Sequence, residues 1–273
     1  MILGANDRID LQLHTIYSDG HWQPTDLFEY LAQERFRLVS ITDHDSMEHL
    51  DDLRTLGDKY GVYVLPGVEM TTDWHGKSAH LLCYAVAFRG DTLGEMGRAT
   101  VASQLANTQA VYEELLRRGY RFAPQTTPPT RPIDNARMLQ SHGYAASLDG
   151  ALRVIADAGY RSIRVPLAEA VAAAHADGAL AVLAHPGRGG GEIHRYDIPL
   201  LSDILTDVAL DGIEARYPTY SEDQVAAYSV FARERGLLVS AGSDSHGPAQ
   251  RLPIAYPAST CSDLLARCDV FVN

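Results

Sequence analysis

The segment "RIDLQLHTIYSDG", residues 8–20, alternates Ile9, Leu11 and Leu13 with Asp10, Gln12 and His14, then turns polar through Ser18, Asp19 and Gly20. A period of two places the apolar side chains on one face of a β-strand and the polar ones on the other. A polar row on an inward face is costly unless partners satisfy it. Either a metal cluster or a hydrogen-bond network would do so.

The same layout recurs along the chain. Short apolar runs end in polar residues at "FRLVSITDHD" (36–45), "GVYVLPGVE" (61–69), "ALAVLAHP" (179–186), "DGIEARYP" (211–218) and "GLLVSAGSD" (236–244). Such runs predict strands buried on both faces, as in a parallel sheet. Amphipathic stretches between them predict helices. In "PTDLFEYLAQERF", Pro24 suits a first turn and Leu27, Phe28 and Leu31 share a face; "SEDQVAAYSVFARERG" opens with Ser221 and Gln224 in capping-box spacing and stops at Gly236. About seven strands alternating with helices predict a parallel α/β barrel, whose chemistry lies at C-terminal strand ends. His14, Asp43, His44, Glu69, His185, Glu214 and Asp244 are expected at or just past such ends.

Residues 89–165 break the rhythm with a long helical stretch, the Pro/Thr segment "PQTTPPTRPID" and a second helix at "SLDGALRVIADAGY". The expected organisation is a barrel of residues 1–88 and 166–273, with 89–165 inserted as a helical cap that shapes specificity. Neither a dinucleotide-binding glycine pattern nor a P-loop follows any strand.

The net charge of −12, without a Lys/Arg run, argues against a protein that wraps long nucleic acid. No apolar stretch is long enough for a membrane span, and the N-terminus does not resemble a secretory signal. Cys83, Cys261 and Cys268 are an odd set without CxxC spacing and read as packing residues in a reducing, cytoplasmic compartment.

The polar strand ends share one chemistry. His14 with "SDG" (18–20), "ITDHD" (41–45), "PGVE" (66–69), His80, "LAHPGR" (183–188), "DGIE" (211–214) and "GSDSHG" (242–247) supply imidazole and carboxylate, the ligand types of zinc, manganese and iron. This series resembles the PHP (polymerase and histidinol phosphatase) superfamily of metal-dependent phosphoesterases across essentially the whole chain. The forms "LAHPGR" and "GSDSHG" are most similar to its nucleotide-phosphatase and small exoribonuclease-like branch.

The resemblance implies a distorted seven-stranded (β/α) barrel with a helical insertion, and two or three divalent ions at its C-terminal face: Mn, Fe or Zn, with Mg also admissible. One implied site uses Gln12, His14, Glu69 and Asp244; a second shares Glu69 and adds His80 and His185; a third uses Asp19, His44 and His246. Arg188 is similar in placement to an arginine that holds the substrate phosphate, a task its fork geometry suits. Asp45 and metal-free histidines at the rim are candidate general acids, and Tyr217 reads either as aromatic packing under a loop or as a residue that stacks a base.

Gln12 departs from the family pattern, which usually has a second histidine there. An amide oxygen is a poorer ligand than imidazole for zinc or iron, though harder ions accept it. The first site could therefore use Gln12 as a weak ligand, bind with three protein ligands, or stand empty.

The implied activity is hydrolysis of a phosphomonoester of a small metabolite, a nucleotide or nucleoside 3',5'-bisphosphate, with short RNA ends as a related substrate. The alternatives are a hydrolase of a non-phosphate bond, and a metal-stabilised, non-catalytic binding module with an impaired first site. The expected partner is a small phosphorylated substrate, and the expected state a monomer or small homo-oligomer. His175, mid-helix, and His21, His49, His75, His142 and His194 match no ligand position and read as packing or solvated residues. Glu214 reads as a structural contact, and Asp10 either as a partner orienting His14 or as a buried hydrogen-bond acceptor.

Overall fold

The computed structural model describes residues 1–123, 128–190 and 193–273. Its frame is carried by β1 (Arg8–Leu13), β2 (Phe36–Ile41), β3 (Gly67–Trp74), β4 (Lys77–Tyr84), β5 (Leu180–Leu183), β6 (Gly212–Arg216) and β7 (Leu238–Ala241). The architecture is α/β, as the alternation of runs predicts. It is not wholly parallel. Strands β1 and β2 pair parallel, as do β5, β6 and β7, but β4 runs antiparallel to both β3 and β5.

Two further contacts join the sheets. A parallel bridge links His44, past β2, to Glu69 on β3, and another links Leu13 on β1 to Ser245, past β7. The seven strands thus follow one another round a ring, with single bridges instead of ladders at two junctions. The short strand Tyr63–Val64 pairs with β2, and only Leu65-Pro66 separates it from β3. Proline at the break removes a ladder donor.

The antiparallel exception has a local cause. Trp74 pairs with Lys77 around His75 and Gly76, whose φ values of 50° and 76° give the positive pair that a tight two-residue hairpin requires. The expectation that Glu69 closes a parallel strand is therefore corrected: Glu69 lies early in β3, opposite Leu82 of a hairpin. Glu214 likewise sits within β6, two residues before its end.

Helices pack as their patterns dictate. Helix Pro24–Gln33 buries Leu27, Phe28 and Leu31, which cluster with Leu13 of β1, while Ile9 and Leu11 join Leu82, Val182 and Leu264. In helix Glu222–Arg235 the Ser221 hydroxyl accepts from Gln224 N at 3.2 Å and Gln224 Oε1 accepts from Ser221 N at 3.0 Å; Gly236, at φ 68°, ends it. No helix of the described residues is long and apolar enough to cross a membrane.

The chain divides into two compact units, residues 1–97 with 164–273, and residues 98–163. The second contains most of helix Thr92–Arg117 together with helices Pro132–Ser141 and Leu148–Asp157, around Val111, Leu115, Leu139 and Ile155. Helix Pro132–Ser141 begins inside what reads in the sequence as a Pro/Thr loop; Pro132 occupies its first turn, where proline costs no hydrogen bond. Residues 124–127 of that loop lie outside the described residues.

Candidate metal centre

Glu69, fully buried, is the carboxylate on which the others converge. Its Oε2 lies 3.0 Å from His14 Nε2 and 4.0 Å from His44 Nε2, and accepts a hydrogen bond from Gln12 Nε2 at 3.0 Å. Its Oε1 lies 3.1 Å from both His80 Nδ1 and His185 Nε2. Asp244 Oδ1 is 3.2 Å from His14 Nε2, and Asp19 Oδ1 is 3.2 Å from His246 Nε2. The His14 ring stacks on that of His246 with centroids 4.1 Å apart. All nine residues expected around metals, Gln12, His14, Asp19, His44, Glu69, His80, His185, Asp244 and His246, thus meet in one place.

Buried acceptors set the backbone that presents them. Asp43, just past β2, accepts from Thr15 N and Oγ1, both at 2.7 Å, and from Ser18 Oγ at 2.6 Å, which shapes the loop carrying Asp19. Asp10 accepts from Ser243 N at 2.9 Å, Ile254 N at 3.0 Å and Gln12 N at 3.3 Å, tying β1 to the segment that bears Asp244 and His246. Of its two expected roles, the buried acceptor is the one realised. Glu214 Oε2 accepts from His185 N at 2.8 Å. At Gly242 a Cβ would collide with Gln12 Cβ and stand 2.8 Å from Glu214 Oε1, so glycine is required for the close approach of β1 and β7. Asp45, His185 and Asp244 have φ of 51°, 29° and 54°, left-handed values that non-glycine residues hold only when their surroundings over-determine them.

The electrostatics are those of a carboxylate-imidazole cluster removed from water. Burial opposes ionisation of Glu69, but His44, with His14, His185 and His80, holds it well below the ordinary carboxylate range. Burial pushes the His44 imidazole down to about 4, and the Asp45 carboxyl up to about 6 even though Asp45 Oδ1 accepts from Thr71 N at 2.8 Å. Burial also raises Asp10 to about 7 and Glu214 well above its usual range.

The donor set fits divalent ions. His14 Nδ1 and Nε2, His44 Nδ1 and Gln12 Oε1 are buried without a hydrogen-bond partner; the short approaches to His14 Nε2 are close without having hydrogen-bond direction. Three groups bring candidate ligand atoms within 4.8 Å of one another: His14, Asp19, His44 and His246; His44, Glu69 and His80; and His14, Glu69 and Asp244. Their membership differs from the implied sites, since His14 and His44 each belong to two groups. His185 approaches Glu69 from outside all three. Mixed imidazole and carboxylate ligands suit manganese, iron and zinc.

Arg188 Nη1 donates to Asp244 Oδ2 at 2.9 Å, and the Tyr217 hydroxyl donates to the same oxygen at 2.8 Å. Tyr217 is only 4% exposed, and its ring carries the guanidiniums of Arg188 and Arg251, an arrangement closer to the packed aromatic than to the base-stacking residue of its two readings. Outside the cluster, His75 lies 3.0 Å from Asp207, and His49 stacks on Tyr17. His175 falls in the last turn of helix Leu167–Ala176, not mid-helix, 2.9 Å from Asp211. Sequence reading missed the roles of Asp43 and Arg251; the position of Asp43 beside His44 was the available signal for the first.

Comparison with known proteins agrees with this geometry. A PHP domain model matches residues 10–116. The chain is 29% identical to phosphoribosyl 1,2-cyclic phosphate 1,2-diphosphodiesterase of Eggerthella lenta, over 89% of this chain and 96% of that protein. It is 26% identical to 3',5'-nucleoside bisphosphate phosphatase of Chromobacterium violaceum, over 89% of this chain and 88% of that one. A solved Bifidobacterium adolescentis structure described as a metal-dependent phosphoesterase has the same fold, with a TM-score of 0.78 at 22% identity, covering 96% of each chain. Residues 10–116 thus match the PHP domain, the similarity to phosphoesterases extends over most of the chain, and the protein is a hydrolase.

Proposed function

We propose that the protein hydrolyses a phosphomonoester of a small metabolite, a nucleotide or nucleoside 3',5'-bisphosphate, with short RNA ends as a related substrate. The observation that carries this reading is Arg188, whose guanidinium is tied to Asp244 at the edge of the carboxylate-imidazole cluster. Relatives acting on bisphosphates and cyclic phosphates support it.

Two or three ions, Mn, Fe or Zn with Mg as a further candidate, would be held by His14, Asp19, His44, Glu69, His80, His185, Asp244 and His246, with Gln12 beside them. Divalent ions held there would supply an acidified water and polarisation of the phosphate. Arg188 binds two phosphate oxygens through its fork and counters the charge they gain. Tyr217 and Asp244 fix the direction of that fork. Asp45, next to His44 and anchored to Thr71 on β3, is assigned the proton transfer to the leaving oxygen. Residues 89–165 are assigned to substrate selection. A reducing cytoplasmic setting suits the buried free thiols of Cys83, Cys261 and Cys268.

The test is to purify the protein without chelators, measure Mn, Fe and Zn per chain, and assay phosphate release from a nucleotide panel with each metal restored. Metal-dependent release is expected. Less than one metal per chain together with no release under any addition refutes the reading.

A further inference from the structure

We propose that the cavity beside the metal centre is a second anion subsite, in which Arg251 and Arg195 hold the non-reacting phosphate of a substrate bearing two. This rests on the phosphomonoesterase reading and adds to it the residues that select the substrate class.

The cavity measures about 590 Å3, within the roughly 300–1,000 Å3 of small-molecule sites. Arg188, Arg195, Arg251, Tyr217 and Asp244 are in its wall. Asp244 and Arg188 also belong to the cluster described above, so the cavity opens directly onto the reacting end. Three guanidiniums there face one carboxylate, in a chain whose net charge is −12. An acidic protein gathers arginines in one concavity when an anion has to be held against the field of the whole molecule.

The two outer arginines are not held by acids. Arg188 pairs with Asp244, whereas among the described residues neither Arg195 nor Arg251 forms an ion pair with a carboxylate. Arg251 is positioned by neutral groups instead. Its Nη1 donates to Ser243 O at 2.6 Å, and its Cζ lies 5.5 Å from the centroid of the Tyr217 ring. The Cζ of Arg188 lies 5.9 Å from the same centroid. One buried ring therefore sets the spacing of two guanidiniums, one bound to the metal-side carboxylate and one with its charge uncompensated in the cavity wall. A planar fork with several donors matches the oxygens of a phosphate. Arg195, exposed at the rim, adds a second positive charge to the same wall.

Steady-state kinetics on the metal-loaded protein test the proposal, with adenosine 3',5'-bisphosphate against adenosine 3'-monophosphate and adenosine 5'-monophosphate. The expected wild-type kcat/KM is at least about tenfold higher for the bisphosphate, the ratio that one charge-assisted contact supplies. Arg195→Gln and Arg251→Gln should each lower that ratio several-fold, chiefly through KM of the bisphosphate, and the exposed Arg195→Gln should do so with wild-type metal content and Tm. Absence of a bisphosphate preference, or a ratio unchanged in the variants, overturns the subsite and leaves the phosphomonoesterase reading standing. No phosphate release from any of the three compounds refutes that reading and the subsite with it. Should Arg251→Gln fail to fold, the exposed Arg195→Gln decides.

Discussion

Asp10→Asn separates anchoring from chemistry, because the hydrogen bonds of Asp10 go to backbone amides and to none of the residues gathered around Glu69 except the Gln12 N–H. In the native protein its two oxygens accept three N–H donors, from Gln12, Ser243 and Ile254, at a side chain that is fully buried. Asparagine keeps the shape but turns one oxygen into an N–H2. With Oδ1 left facing Ser243 and Gln12, the new amide meets the N–H of Ile254 donor to donor. Leaving one buried donor unsatisfied costs about 1–3 kcal/mol. At about 2–4 °C per kcal/mol for a domain near this size, Tm should fall by roughly 2–12 °C. Leucine at the same position would strand all three donors, a loss of about 3–9 kcal/mol that rivals the whole stability of a domain, so Asn is the informative variant. Calorimetric melting of chelated and metal-loaded protein reads the effect. Because Ser243 precedes Asp244, the loosened segment should also lower metal occupancy at sub-saturating Mn. A Tm within about 1 °C of wild type, with unchanged metal content, would refute the anchoring argument.

Removing metal with a chelator should abolish phosphate release and lower Tm, since an ion at about 100 times its Kd stabilises by about 2.7 kcal/mol; Mn add-back should restore both. Arg188→Ala should reduce kcat/KM about 100- to 1,000-fold with little change in Tm, and full retained activity would instead favour hydrolysis of a non-phosphate bond. Gly242→Ala should cost about 1–3 kcal/mol in urea unfolding, because its Cβ enters the space of Gln12 and Glu214. Gln12→His should raise bound metal per chain by elemental analysis, and an unchanged stoichiometry would show that position 12 does not limit occupancy.

Much of the centre is legible in the sequence because its ligands cluster at strand ends, where period-two alternation and the following polar turn are local signals. His14 with Asp19, and Asp244 with His246, are each read within a few residues. What is illegible depends on pairing between distant segments. The hairpin that places His80 beside Glu69 reverses strand direction at His75-Gly76, which period-two apolar patterning does not report. Asp10 acts through amides 233 and 244 residues away, and Glu214 through one 29 away, so neither role has a local signature. Helix Pro132–Ser141 is hidden by the prolines clustered around its start, the last of which is its first residue.

Gln12 shows where the two kinds of information join. Alternation alone puts it on the face of His14, yet only the fold brings its amide to Glu69, 57 residues on. There it exchanges roles with the histidine the family usually carries. Neutral imidazole would offer a lone pair to an ion, whereas the glutamine amide offers an N–H to the carboxylate and leaves its oxygen unpartnered. Compared with a neutral imidazole, the amide subtracts one donor from the group of His14, Glu69 and Asp244 without changing its formal charge, and unlike imidazole it cannot take up a proton beside Glu69. Turning the amide to present Oε1 to an ion would break the hydrogen bond to Glu69 Oε2, so the affinity gained there is reduced by the bond given up. The position therefore tunes how readily one ion binds, while the remaining imidazoles and carboxylates keep the rest of the centre chemically complete.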